Sequence, residues 1–126
     1  MKEHNLITGN IVNAAFLIHK QLGPGLLEKV YETVLFHELK TRGLHVERQK
    51  PISISFNGMN FDEGFRADLV VEKKVIIELK SIEKVIPAHK KQLLTYIKLT
   101  GMRVGLLINF GEYLIKDGMT RIVNGL

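Results

Sequence analysis

Two short segments, Val75-Ile76-Ile77-Glu78-Leu79-Lys80 and Val104 to Phe110, are apolar on both alternating faces. A strand covered on both sides has this pattern, because neither set of side chains faces water. Both segments therefore belong inside a sheet and not at its rim. Between them, residues 87–100 begin at Pro87, carry Leu93 and Ile97 at helical spacing and stop at Gly101. Proline suits the first turn of a helix and glycine the position just past its end. Strand, helix and strand in this order predict a right-handed crossover that leaves the two strands parallel. The fold class is therefore α/β.

The rest of the chain supplies the flanks. Ile7, Ile11, Ala14, Ala15, Ile18 and Leu22 recur with helical period, so residues 5–22 are expected to form an amphipathic helix, halted by Gly23-Pro24-Gly25. A second helix is expected over 26–42, with Leu27, Val30, Tyr31, Val34, Leu35 and Leu39 as its apolar stripe and Gly43 as its stop. From Leu44 the period changes. Val46, Ile52, Ile54 and Phe56 alternate with polar residues, Asn57-Gly58 is a hairpin turn, and residues 59–71 return as a second strand. Pro51 cannot donate to a ladder, so that stretch belongs at an edge. Residues 113–123 are expected to form one or two short strands around Asp117-Gly118. The order α-α-β-β-β-α-β-β predicts a central mixed sheet flanked by helices.

With 126 residues, the chain has the size of one domain, 1–126. Folding a chain this long removes roughly two-thirds of its surface from water, enough for a core without staples. There is no cysteine, which excludes disulfides, thiolate zinc sites, iron–sulfur clusters and a cysteine nucleophile. No apolar run approaches a membrane span, and the first residues lead into a periodic segment and not a signal-peptide core. A soluble, cytoplasmic protein with no membrane partner is expected.

The net charge is +5, and its whole excess lies in residues 84–111. Lys84, Lys90, Lys91, Lys98 and Arg103 stand there without a carboxylate among them. Local positive potential attracts polyanions, and phosphate contacts dominate nucleic-acid affinity. A solvated basic helix face is the plainer explanation of the same pattern.

Asp68 and Glu78 lie on two strands joined by the short turn Glu72–Lys74. If Val71 pairs with Val75, Asp68 falls opposite Glu78, with their β-carbons about 5 Å apart. Lys80, two residues on, points to the same face as Glu78, and Leu79 points into the core. Opposed like charges repel, and burying carboxylates is costly unless they are compensated. Lys80 neutralises only one. Either Arg66 or another cation pairs with the second, or a divalent metal sits between them, since carboxylate oxygens suit Mg²⁺ and Mn²⁺. A surface ion-pair ladder would present the same spacing.

Two helices add candidates. Glu28, Tyr31 and Glu32 share one side of the second helix. Glu28 either complements the helix dipole or, if the helix packs over the Asp68/Glu78 face, completes a carboxylate triad. Tyr31 reads as core. On the third helix Gln92 and Tyr96 are i, i+4 neighbours beside His89, on the electropositive segment, where a phosphate or base contact is natural. The same pair could instead meet each other at a helix–sheet seam.

Asp68 with Glu78-Leu79-Lys80 resembles the core of the PD-(D/E)XK nuclease superfamily, with Ala67 where the family name has proline. Gln92-x-x-x-Tyr96 resembles the QxxxY motif of the exonuclease domains of recombination helicase–nucleases. Gly25-x-x-Glu28-x-x-Tyr31 is similar to the signature of the GxxExxY proteins grouped with that superfamily. The likeness spans residues 5–123. It implies a four-stranded mixed sheet flanked by helices, with a metal site at one end. It also implies Asp68, Glu78 and the Leu79 carbonyl as ligands of Mg²⁺ or Mn²⁺, Lys80 as the catalytic lysine and Glu28 as the helix-borne acid. Gln92 and Tyr96 would support the site or the bound strand. Tyr31, Arg66, Lys90 and Lys91 complete the candidates for site support or nucleic-acid contact.

The expected activity is metal-dependent hydrolysis of phosphodiester bonds in DNA or RNA. The alternatives are a catalytically silent nucleic-acid-binding module on the same fold and a plain structural protein. Opposed carboxylates repel a phosphate, so the acid–acid–lysine set disfavours both. A chain this short carries no obvious target-recognition domain, which favours a partner protein, a homo-oligomer or loose specificity.

Overall fold

The computed structural model describes residues 2–125. Helices α1 (Lys2–Leu22) and α2 (Glu28–Thr41) precede β1 (Val46–Phe56), β2 (Met59–Val71) and β3 (Val75–Lys80). Helix α3 (Pro87–Thr100), β4 (Val104–Asn109), a 3-10 turn (Ile115–Gly118) and β5 (Met119–Val123) follow. The five strands form one sheet in the order β1-β2-β3-β4-β5. Its pairs are antiparallel except β3 with β4, which run parallel on either side of α3. This is the mixed α/β sheet that the doubly apolar segments predict, with Pro51 on edge strand β1.

Three boundaries differ from the sequence expectation. Helix α1 begins at Lys2, earlier than its apolar stripe requires. Helix α2 begins at Glu28 and not at residue 26, because Gly25 holds φ +104 and the Leu26 N–H is taken by the Tyr31 hydroxyl at 3.1 Å. The tail gives a 3-10 turn, closed by Asp117 N–H to the Leu114 carbonyl, before a single strand. Strand β5 makes the sheet five-stranded, one strand more than the resemblance implies.

Two hydrophobic clusters cover the sheet. The larger joins α1 and α2 to alternate residues of β2, β3 and β4, among them Leu69, Ile77, Leu79, Leu106 and Ile108. The smaller joins Leu93 and Ile97 of α3 to Ala67, Val70, Ile76 and Leu107. Val75, Ile76, Ile77 and Leu79 are all completely buried, each burial stabilising by about 1.5–3 kcal/mol. Helix α3 approaches β4 so closely that a Cβ at Gly105 would lie 2.7 Å from Ile97 Cδ1. No described helix is long and apolar enough to cross a membrane.

Candidate active site

The β2–β3 ladder pairs Val71 with Val75, Val70 with Ile76 and Leu69 with Ile77. The next residues in register are Asp68 and Glu78, and there the strands part. β3 continues along β4, pairing Glu78 with Leu107 and Lys80 with Asn109. At the parting the side chains take over from the ladder. Leu79 N–H donates to Asp68 Oδ2 at 2.8 Å, and Asp68 N–H reaches Glu78 Oε1 at 3.4 Å. The Leu79 side chain is locked in the α1/α2 cluster, so the backbone between the two acids is fixed by core packing.

The two carboxyls are both raised, but not by the same neighbours. Burial, then the charge of Asp68, pushes Glu78 up to about 8. Burial also raises Asp68, opposed by the Leu79 N–H and assisted by Glu32. Neither cation considered from the sequence closes on the pair. Arg66 Nη1 donates to the Gln49 carbonyl at 3.3 Å instead of pairing with an acid of the site. Among the described residues Lys80 makes no ion pair, although its charge lowers both Glu78 and Glu28. The surface ion-pair ladder is therefore not what this arrangement forms.

Helix α2 is aimed at the same end of the sheet. Its lead-in loop is held from two sides: Ser81 Oγ, just past β3, donates to the Leu26 carbonyl at 2.5 Å, and the Tyr31 hydroxyl donates to the Gly23 carbonyl at 2.5 Å. Tyr31 itself is completely buried and stacks on Phe110 at 4.4 Å. It supports the loop and offers no surface to a ligand. Glu28 opens the helix, and burial, followed by the charge of Asp68, raises its carboxyl. Among the described residues no group of three or more His, Cys, Asp or Glu side chains is placed to hold a metal ion. Glu28 thus lies in electrostatic reach of Asp68 without joining it in a triad.

From α3, Tyr96 comes close enough to the acids that burial and then the charge of Glu78 raise its hydroxyl, while a hydrogen bond with Gln92 lowers it. Its ring lies flat on Phe65, centroids 3.5 Å apart. Gln92 is exposed beside it. His89 Nδ1 accepts the Ile86 N–H and so caps α3. Lys84, Lys90, Lys91, Lys98 and Arg103 are all exposed, and none pairs with a carboxylate among the described residues.

Two further neighbours carry no mark in the sequence. Arg48 Nη2 pairs with Glu32 Oε2 at 3.1 Å, and Gln49 Nε2 donates to Glu32 Oε1 at 2.6 Å and to Asp68 Oδ1 at 3.3 Å. Nothing in hydropathy or spacing singles out Arg48 or Gln49. A cavity of about 500 Å³ lined by Glu28, Lys29, Glu32, Arg48 and Gln49 opens beside them. A larger one, about 720 Å³, lies between α1 and β4–β5 and contains none of these acids.

Two facing carboxylates without a neutralising cation are hard oxygen donors of the kind Mg²⁺ and Mn²⁺ accept. A divalent ion there would offset the burial that raises both groups and the charge of Asp68 that raises Glu78, so these residues fit such an ion. No curated protein sequence matches the chain. A solved structure, the crystal structure of SSO0001, is similar in fold at TM-score 0.51 and 23% identity. The match covers 78% of this chain and 50% of that one, so this chain spans half the length of that relative. A model of the PD-(D/E)XK nuclease superfamily, whose members generally use divalent metals, matches residues 5–122. The chain belongs to the PD-(D/E)XK nuclease superfamily.

Proposed function

We propose that this protein is a divalent-metal-dependent phosphodiesterase acting on nucleic acid. The observation that carries it is the opposed Asp68/Glu78 pair, which neither Arg66 nor Lys80 neutralises. Asp68, Glu78 and the Leu79 carbonyl would hold Mg²⁺ or Mn²⁺, and Glu28, in electrostatic reach of Asp68, would add negative charge at the site without being a ligand. The ion, when bound, supplies Lewis acidity and a water of lowered pKa. The chain's own groups do the rest. The Lys80 ammonium, on the face of Glu78, steadies the attacking water and the charge that develops on the phosphate oxygens. Tyr96 and Gln92 line the approach from α3, and the unpaired Lys90 and Lys91 hold the phosphate backbone. Arg66, occupied with the Gln49 carbonyl, belongs to the support of β1. A cytoplasmic setting accords with a chain free of cysteine, and target choice would come from a partner protein or a second copy.

The test is cleavage of single- and double-stranded DNA and RNA with Mg²⁺ or Mn²⁺. Lys80→Ala is expected to slow cleavage ~10²–10³-fold, the effect of removing a charge-stabilising donor, with nucleic-acid binding retained. Cleavage by Lys80→Ala at the parent rate would overturn the catalytic role. A parent that cleaves nothing, joined with an Asp68→Ala variant that binds nucleic acid more tightly, would favour the silent binding module.

A further inference from the structure

Gln49 stands where the β1–β2 ladder breaks. Arg48 pairs with Leu69 and Lys50 with Ala67, so Gln49 and Asp68 face one another without ladder partners. Gln49 holds φ 47, a left-handed conformation that ordinary side chains adopt rarely. The other non-glycine residues with positive φ, Asn57, Glu72 and Lys73, lie between strands and not within one. The unusual backbone turns the Gln49 side chain towards α2, where its amide nitrogen bridges two acids: Glu32 Oε1 at 2.6 Å and Asp68 Oδ1 at 3.3 Å.

Its anchor is rigid. Glu32 is 4% exposed, and its second oxygen is held by Arg48 through Nη2 at 3.1 Å and Nε at 3.3 Å. Arg66 holds the Gln49 carbonyl. With Oδ2 on the Leu79 N–H and Oδ1 on the Gln49 amide, the Asp68 carboxylate is tied at both oxygens. Each oxygen keeps a further lone pair for a ligand.

We propose that Gln49 is a positioning residue for Asp68: anchored on the buried Glu32 carboxylate, which Arg48 holds, its amide fixes the Asp68 carboxylate in the orientation that receives a divalent cation. This rests on the phosphodiesterase reading above. A carboxylate held this way binds a cation without first being ordered, and losing such an outer hydrogen bond lowers metal affinity ~10–100-fold. Two other roles fit the position less well. A mere tie between β1 and α2 needs the Glu32 hydrogen bond but not the second one to Asp68. A substrate-binding role needs a free amide, and this one is engaged.

The experiment uses the whole chain and two substitutions. Gln49→Asn keeps the amide and tolerates the left-handed backbone but is one methylene short. Gln49→Gly relieves the left-handed backbone and removes the side-chain amide, so a loss of metal affinity is read apart from backbone strain. Mn²⁺ binding by calorimetry, thermal melting and steady-state cleavage are measured for each. Both variants are expected to bind Mn²⁺ ~10–100-fold more weakly, with KM for nucleic acid unchanged and kcat restored at saturating Mn²⁺. Mn²⁺ affinity equal to the parent's overturns the proposal, whether the melting temperature falls (a structural tie) or KM rises (a substrate-binding group). If the parent takes up no Mn²⁺, the phosphodiesterase reading fails and takes this inference with it. If the parent binds and both variants match it, only the role of Gln49 fails.

Discussion

The carboxylate of Asp68 accepts the backbone N–H of Leu79 at 2.8 Å, across the point where β2 and β3 separate. A side-chain oxygen thus occupies the place of a ladder carbonyl, and the orientation of an acid becomes part of the sheet's own hydrogen bonding. Because Leu79 is completely buried, the donor cannot drift. Glu78, one residue before it, is brought against Asp68 by the same register.

Stability and proton binding are linked at this pair. Glu78 titrates at 4.5 when unfolded and at about 8 in the fold. Between those values the folded state binds more protons, so its stability is full below the lower value and declines as pH rises to the upper one. Asp68 and Glu28 shift in the same direction. Glu47, lowered by Lys50, runs the other way but sits at the surface. The metal-free protein is therefore expected to melt lower at the alkaline end of that window. Mn²⁺ should raise the melting temperature most at that end, because the cation replaces bound protons. Equal metal-induced shifts at both ends in a thermal scan would contradict the linkage.

Glu78→Gln removes the proton uptake that folding demands of Glu78 at neutral pH and keeps an acceptor for the Asp68 N–H. The metal-free variant is expected to be more stable than the parent at neutral pH by ~1 kcal/mol, a rise of about 4 °C in Tm for a chain of this size. Its Mn²⁺-induced shift should vanish, and cleavage with it. This is the trade of stability for function expected of a strained site. A lower Tm for the metal-free variant would show that folding demands no such proton uptake.

Tyr31→Phe keeps the ring stacked on Phe110 and deletes the hydroxyl that joins the Gly23 carbonyl to the Leu26 N–H. The two part-buried backbone groups left without their partner can turn to water, so the cost in denaturant unfolding is that of ordinary hydrogen bonds, ~1 kcal/mol. Cleavage should also fall, at temperatures well below the melting transition, since the loop sets where Glu28 begins α2. Full turnover in a destabilised variant would separate Tyr31 from the site.

Lys90→Ala with Lys91→Ala should raise KM for nucleic acid of any sequence and leave kcat as it was. The slope of log affinity against log salt should become shallower by ~0.9 for each phosphate that the variant no longer neutralises. An unchanged slope would make this face of α3 merely a solvated surface.

Much of the fold is legible in the chain alone. Alternation and double-sided apolarity mark β3 and β4, Pro87 and Gly101 bound α3, and Asn57-Gly58 marks the hairpin, because local side-chain period and turn chemistry carry that information. The opposition of Asp68 and Glu78 follows from a short turn and a period of two. What the tertiary structure alone decided is how those acids are accompanied. The start of α2 moves to Glu28 because a tyrosine hydroxyl and a serine just past a distant strand hold its lead-in loop. Arg66 turns to a backbone carbonyl instead of an acid, and Gln49 enters the site through a left-handed break in β1. Such interactions join residues far apart in the chain, each satisfied by a partner whose position depends on the packed core, so no local pattern announces them.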